Sequence, residues 1–146
     1  MNNPLAEEAP APAALHPAQL ALLFSVFVIA ACGLLYELSA GAIASYLLGD
    51  SILQFSTIIG SYLFAMGIGS WLSRYIERAL HAHFVRIEIL VGLVGGFMPM
   101  VLYAAHAWIQ GGFGVLLYGL VILIGTLVGL EIPLVMRILK RHTSLR

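Results

Sequence analysis

Four long apolar runs, about Leu20 to Leu48, Ser51 to Ser73, Phe84 to Ala105 and Phe113 to Leu139, are separated by short polar or glycine-bearing breaks. A helix rises ~1.5 Å per residue, so about 20 residues cross a hydrocarbon core ~30 Å thick, and each run predicts a membrane span. The first and last runs exceed that length, which predicts tilt, a break or an extension along the interface. Gly49-Asp50-Ser51 divides the first two runs. Ser51 followed by Gln54 has the spacing of a capping box, so a tight antiparallel hairpin is expected there. The expected fold is all-α, an integral membrane four-helix bundle with antiparallel neighbours. It occupies 20–141, with helices at about 20–48, 51–73, 84–105 and 113–139. An Ala/Pro-rich disordered tail at 1–19 and a short tail at 142–146 complete the expected organisation.

Composition supports lipid as the solvent. Hydrophobic residues make up 61% of the 146 and charged residues only 10%, against roughly 25% charged in ordinary globular chains. Net charge is zero and says little; the placement of the basic residues says more. Arg74, Arg78 and Arg86 flank the second connection, and Arg137, Lys140, Arg141 and Arg146 lie at the C-terminal end. Four spans put all seven on one side of the membrane, so the positive-inside rule predicts both termini in the cytoplasm. The first run lacks the basic n-region of a cleavable signal, which favours a retained helix in a bacterial inner membrane. Trp71 and Trp108 fall where interfacial aromatics are expected. Cys32 is the single cysteine; it allows no internal disulfide and reads as a packing residue.

Between lipid-embedded helices, small residues mark the faces that approach closely. On the first helix Ala30, Gly33, Glu37, Ala40, Gly41 and Ala44 share one face, and on the third Glu88, Gly92, Gly95, Gly96 and Pro99 recur similarly. The second offers Ser56, Gly60, Gly67 and Ser70, and the fourth Gly125 and Gly129 at GxxxG spacing. Gly33, Gly41, Gly60, Gly67, Gly92, Gly96, Gly125 and Gly129 are therefore the expected packing positions. Glu37 and Glu88 are expected to point inward. Glu131 is expected off the face of Gly129 and beside a helix break at Pro133, whose missing N–H leaves the Gly129 carbonyl without its helical donor.

The three carboxylates are candidates for cation binding or for helix pairing with Arg86 and Arg137. Glu88 and Glu131 fall in the cytoplasmic half and Glu37 toward the other, so a single shared site is not expected. A Glu88–Arg137 or Glu131–Arg86 contact is expected to close the cytoplasmic half. No dinucleotide fingerprint, Walker-type loop or nucleophile–base set has a frame here, and no nucleic-acid partner is expected. His81 and His83 lack acidic or cysteine neighbours suited to a metal. Neither cofactor, metal nor catalytic residue is expected.

Several strings carry a family likeness. Cys32-Gly33-Leu34-Leu35-Tyr36-Glu37-Leu38, Ala44-Ser45-Tyr46-Leu47-Leu48-Gly49-Asp50-Ser51 and Phe64-Ala65-Met66-Gly67-Ile68-Gly69-Ser70 lie in the first two spans. Together with Glu88, Gly92, Gly95 and Gly96, and with Gly129-Leu130-Glu131-Ile132-Pro133-Leu134 and Arg137, they resemble the N-terminal membrane domain of membrane-bound spermidine synthase-like proteins, the polyamine aminopropyltransferase family. The likeness covers about Leu20 to Arg141. It implies a membrane domain that in the family precedes further helices and a Rossmann-like domain, which moves an aminopropyl group from decarboxylated S-adenosylmethionine to putrescine. None of that domain's cofactor-binding or catalytic positions has a counterpart in this sequence.

The expected function is a noncatalytic membrane module that packs against other membrane protein subunits or against itself. Two further expectations stand beside it: a polyamine or cation binding or transport module using the intramembrane carboxylates, and a membrane anchor for a separate aminopropyltransferase.

Overall fold

The computed structural model describes residues 17–76, 79–108 and 111–144. Among them are four α-helices and no strands: α1 (Pro17–Leu48), α2 (Ser51–Leu72), α3 (Leu80–Trp108) and α4 (Phe113–Ser144), with a 3₁₀ turn at Ser73–Tyr75 after α2. All four are long and apolar enough to cross a membrane. The expected tail before Pro17, together with Glu77, Arg78 and Arg146, lies outside the described residues. Pro17 to Gln19, expected in the tail, are helical, α3 extends to Trp108, and two boundaries differ most from the hydrophobic pattern. Helix α3 starts at Leu80 rather than Phe84, and α4 continues to Ser144, beyond the apolar run. Helix geometry tolerates polar residues once the chain leaves the apolar layer, so hydropathy understates helix length at both places.

The first hairpin turns on Gly49 and Asp50, both left-handed, at φ +78° and +47°. Gly49 closes α1 by donating its N–H to Ser45 O at 3.0 Å, a conformation glycine adopts without a Cβ penalty. Asp50 then caps α2, its Oδ1 accepting from Leu53 N at 3.2 Å. The cap is thus Asp50 and not Ser51; a carboxylate is an effective acceptor for the free N–H groups of a helix start and complements the helix dipole. Ser51 instead shares a hydrogen bond with Ser45 across the turn.

Helix α4 touches each of the other three and is the most enclosed. Its contacts with α2 are the closest in the bundle. A methyl placed on Gly69 would stand 2.1 Å from Thr126 O, and one on Gly129 2.2 Å from Met66 O, while Gly125 faces Tyr62 O and Ala65. These pairs rise together, so α2 and α4 run in the same direction. Gly33 with Tyr62 and Gly41 with Phe55 run in opposite senses, so α1 and α2 are antiparallel. Gly95 receives the Tyr36 ring and joins α3 to α1.

The glycine stripes contribute unequally to these seams. Gly33, Gly41, Gly125 and Gly129 each lie against a neighbouring helix, whereas Gly60, Gly67, Gly92 and Gly96 are exposed, with nothing within 4 Å of where a Cβ would stand. Helix α2 buries Ile58, Tyr62, Ala65 and Gly69, a face of mixed large and small residues. Close approach needs a hole opposite a knob, so a glycine pairs with bulk on its own or the neighbouring helix, and smallness alone does not select the face. Both Pro99 and Pro133 lie inside continuous helices.

A candidate intramembrane acidic site

Burial and hydroxyl partners define the interior polar groups. Glu37 is 8% exposed and Glu131 2%. Glu131 is buried although its position on α4 differs from that of Gly129, because α4 is covered on several sides. One of its carboxylate oxygens, Oε1, has no hydrogen-bond partner. Buried polar atoms are nearly always satisfied, so this oxygen is costly where it stands.

Glu88 on α3 is half-buried and accepts a hydrogen bond from Ser25 Oγ of α1. It also bears electrostatically on Glu131. The hydroxyl of Tyr62, a residue only 4% exposed, lies against Gly33. Glu37 and Glu131 both act electrostatically on that phenol. Glu37, Tyr62, Glu88 and Glu131 are polar groups of this interior, with Ser25 hydrogen-bonded to Glu88. Among the described residues no group of three or more His, Cys, Asp or Glu could hold a metal ion.

Among the described residues neither expected pair, Glu88–Arg137 or Glu131–Arg86, is seen. Arg137 turns to the end of α2, where its Nη1 donates to Ser73 O at 3.0 Å and to Ile76 O at 3.1 Å. Ser73 O also accepts from Ile76 N at 3.1 Å within the turn, so the guanidinium adds a second donor there and supplies one to Ile76 O. Arg86 is exposed. Thus the basic side chain nearest Glu131 along α4 is committed elsewhere. Arg137→Gln is expected to cost about 1.5–3 kcal/mol through the lost charge-assisted bonds. Hydrogen exchange read by mass spectrometry should show the 3₁₀ turn loosening, and unchanged exchange there would refute the capping role.

Ser25, Tyr62 and Gly69 carry interior contacts that pattern reading did not assign to the site or its seams, whereas Gly95 lies on the expected face of the third helix and receives Tyr36. Tyr62 left one signal in the sequence: it shares helical spacing with Ala65 and Gly69, and buried tyrosine needs a polar neighbour for its hydroxyl. Ser25 left none, since its role depends on Glu88 arriving from another helix.

The helices and the buried acids together define a polytopic α-helical bundle of membrane-spanning length with ionisable groups inside. Over 124 residues the chain is 63% identical to polyamine aminopropyltransferase 2 of Ralstonia nicotianae, a match covering 84% of this chain and 24% of that protein. A polyamine aminopropyltransferase of Leptospira interrogans is 56% identical over 128 residues, covering 88% and 26%. Polyamine aminopropyltransferase 2 of Streptomyces coelicolor is 42% identical over 149 residues, covering 95% and 27%. The chain is therefore a relative of one part of the polyamine aminopropyltransferases and spans about a quarter of their length. No family model matches it, and no solved structure does.

Proposed function

We propose that this chain is a noncatalytic membrane module that works beside polyamine aminopropyltransferase chemistry by docking with other membrane helices. The observation that carries this reading is the coincidence of the match with the four membrane-compatible helices, which make up nearly all of the matched length. The exposed Gly92 and Gly96 on α3 add a smooth outer strip, of the kind that lets a transmembrane helix approach closely. Its occupant is a further membrane helix of an aminopropyltransferase assembly. The basic residues at one end of the bundle support cytoplasmic termini and a location in the bacterial cell membrane.

Native mass spectrometry of the complex extracted from membranes tests the module. The expected result is a stable assembly that contains this chain and is lost in the double variant Gly92→Leu/Gly96→Leu, whose thermal midpoint stays unchanged because both sites are open. A lone monomer in mild detergent would overturn it. An anchor that holds a separate aminopropyltransferase is the narrower form of this reading, and the same spectra would identify that enzyme by mass.

A second reading rests on Glu131. A buried carboxylate oxygen without a donor, with Glu88 bearing electrostatically on the same carboxylate, suits an organic cation such as a polyamine. Binding of labelled polyamine to the reconstituted chain, compared among wild type, Glu131→Gln and Glu88→Gln, tests it.

A further inference from the structure

One side of α2 holds a feature that neither reading uses. Leu63, Phe64, Gly67, Ile68 and Trp71 line an apolar groove of about 450 Å³ on its outer face. Their spacing follows one helical stripe, ~12 Å long at 1.5 Å per residue. Gly67 forms an open floor. One turn further on, where α2 gives way to the 3₁₀ turn, the stripe ends in a cationic cluster. The Arg74 guanidinium lies 4.2 Å from the Trp71 ring centroid and 5.1 Å from that of Tyr75. Its Nη2 donates to Tyr75 Oη at 3.2 Å, and the two rings meet edge to face. Among the described residues no carboxylate takes a hydrogen bond or ion pair from Arg74, and all three side chains are exposed.

We infer that this groove and its arginine bind one anionic phospholipid, its acyl chain in the groove and its phosphate on Arg74. The charge order along the stripe selects this occupant: apolar walls for the length of a partial acyl chain, then indole and phenol at headgroup level, then a guanidinium whose fork matches phosphate. The aromatic rings fix the guanidinium in place and leave its remaining N–H groups toward the headgroup layer. A protein helix in the same groove would have to bring a carboxylate to Arg74 as well as a flat face to Gly67. The leaflet is the one at the C-terminal end of α2, the side where all seven basic residues of the sequence are expected; anionic lipid and a basic side chain attract there.

The test uses the full chain in vesicles of equal phosphatidylcholine and phosphatidylglycerol, extracted into mild detergent and weighed by native mass spectrometry. One phosphatidylglycerol should remain on each chain in preference to phosphatidylcholine. Arg74→Gln should lower that retention about fivefold, the ~1 kcal/mol that a basic residue contributes at a charged surface. Gly67→Leu should also lower it by filling the floor, and Lys140→Gln, outside the groove lining, should leave it unchanged. Equal retention of the two lipids, or full retention in Arg74→Gln, would overturn the site. So would a photocrosslinker at position 68 that captures a polypeptide in place of lipid. If Gly67→Leu fails to fold, the Arg74→Gln measurement decides alone.

Discussion

Gly69→Ala and Gly129→Ala should each prise α2 from α4, while Gly60→Ala and Gly67→Ala should leave the bundle intact or slightly firmer. The four substitutions are chemically identical and differ only in what the new methyl meets. At Gly69 it meets Thr126 O at 2.1 Å and at Gly129 it meets Met66 O at 2.2 Å. Both obstacles are backbone atoms of a neighbouring helix, which cannot rotate away as a side-chain tip could. Overpacking of a tight interior costs about 1–3 kcal/mol, and rigid neighbours place these two at the upper end. At Gly60 and Gly67 the methyl meets nothing, and the helix gains up to about 1 kcal/mol of propensity from alanine. Thermal unfolding of the four variants in one detergent, followed by circular dichroism, reads the contrast directly. Equal midpoints across the set would mean that α2 and α4 do not meet through Gly69 and Gly129.

Glu131→Leu should produce a bundle that is more stable and unable to hold a polyamine. The wild-type side chain buries a carboxylate oxygen with no partner, and an unsatisfied buried polar group costs about 1–3 kcal/mol. Leucine removes that group and fills similar space, so the thermal midpoint should rise. Glu131→Gln should be less stable than the leucine variant, because its amide still needs partners in the same place. For binding the two should agree. Losing one charge-assisted contact of about 1.5–3 kcal/mol weakens a protonated amine by roughly 10–100-fold. Equilibrium binding of labelled spermidine to proteoliposomes measures this loss beside the stability gain. Unchanged binding in Glu131→Gln would remove the cation reading, and a lower midpoint in Glu131→Leu would mean that the carboxylate has an interior role beyond an unfilled contact. Tyr62→Phe keeps the ring and deletes the buried hydroxyl beside Gly33, so spermidine binding in that variant reports whether the phenol takes part.

Stability raised by deleting an interior acid is the usual sign of a group kept for function. Lipid makes the contrast sharp, because ionisable groups inside membranes are costly wherever they lack partners. Arg137 illustrates the alternative fate of a charge. It lies within two turns of Glu131 along α4, yet it caps the carbonyls of Ser73 and Ile76. Those carbonyls lie where α2 ends, and a single arginine reaching across from α4 donates to both.

The sequence by itself determined the number of spans, their approximate limits, the turn at Gly49-Asp50 and the presence of carboxylates within apolar helices. Those properties are local. Hydrophobic length is set against the thickness of a bilayer, and a left-handed turn needs residues that accept positive φ, so neither depends on which helix lies beside which. Tertiary structure alone decided that Gly69 and Gly95 sit in seams while Gly67 and Gly96 face outward. It also decided that Arg137 serves α2 instead of a glutamate and that Ser25 meets Glu88. The physical reason is common to all of these. In lipid the apolar residues of a helix are equally at home on every side, so hydrophobicity does not distinguish interior from exterior, and the faces are chosen by the fit of knobs to holes and by polar partners supplied from other helices.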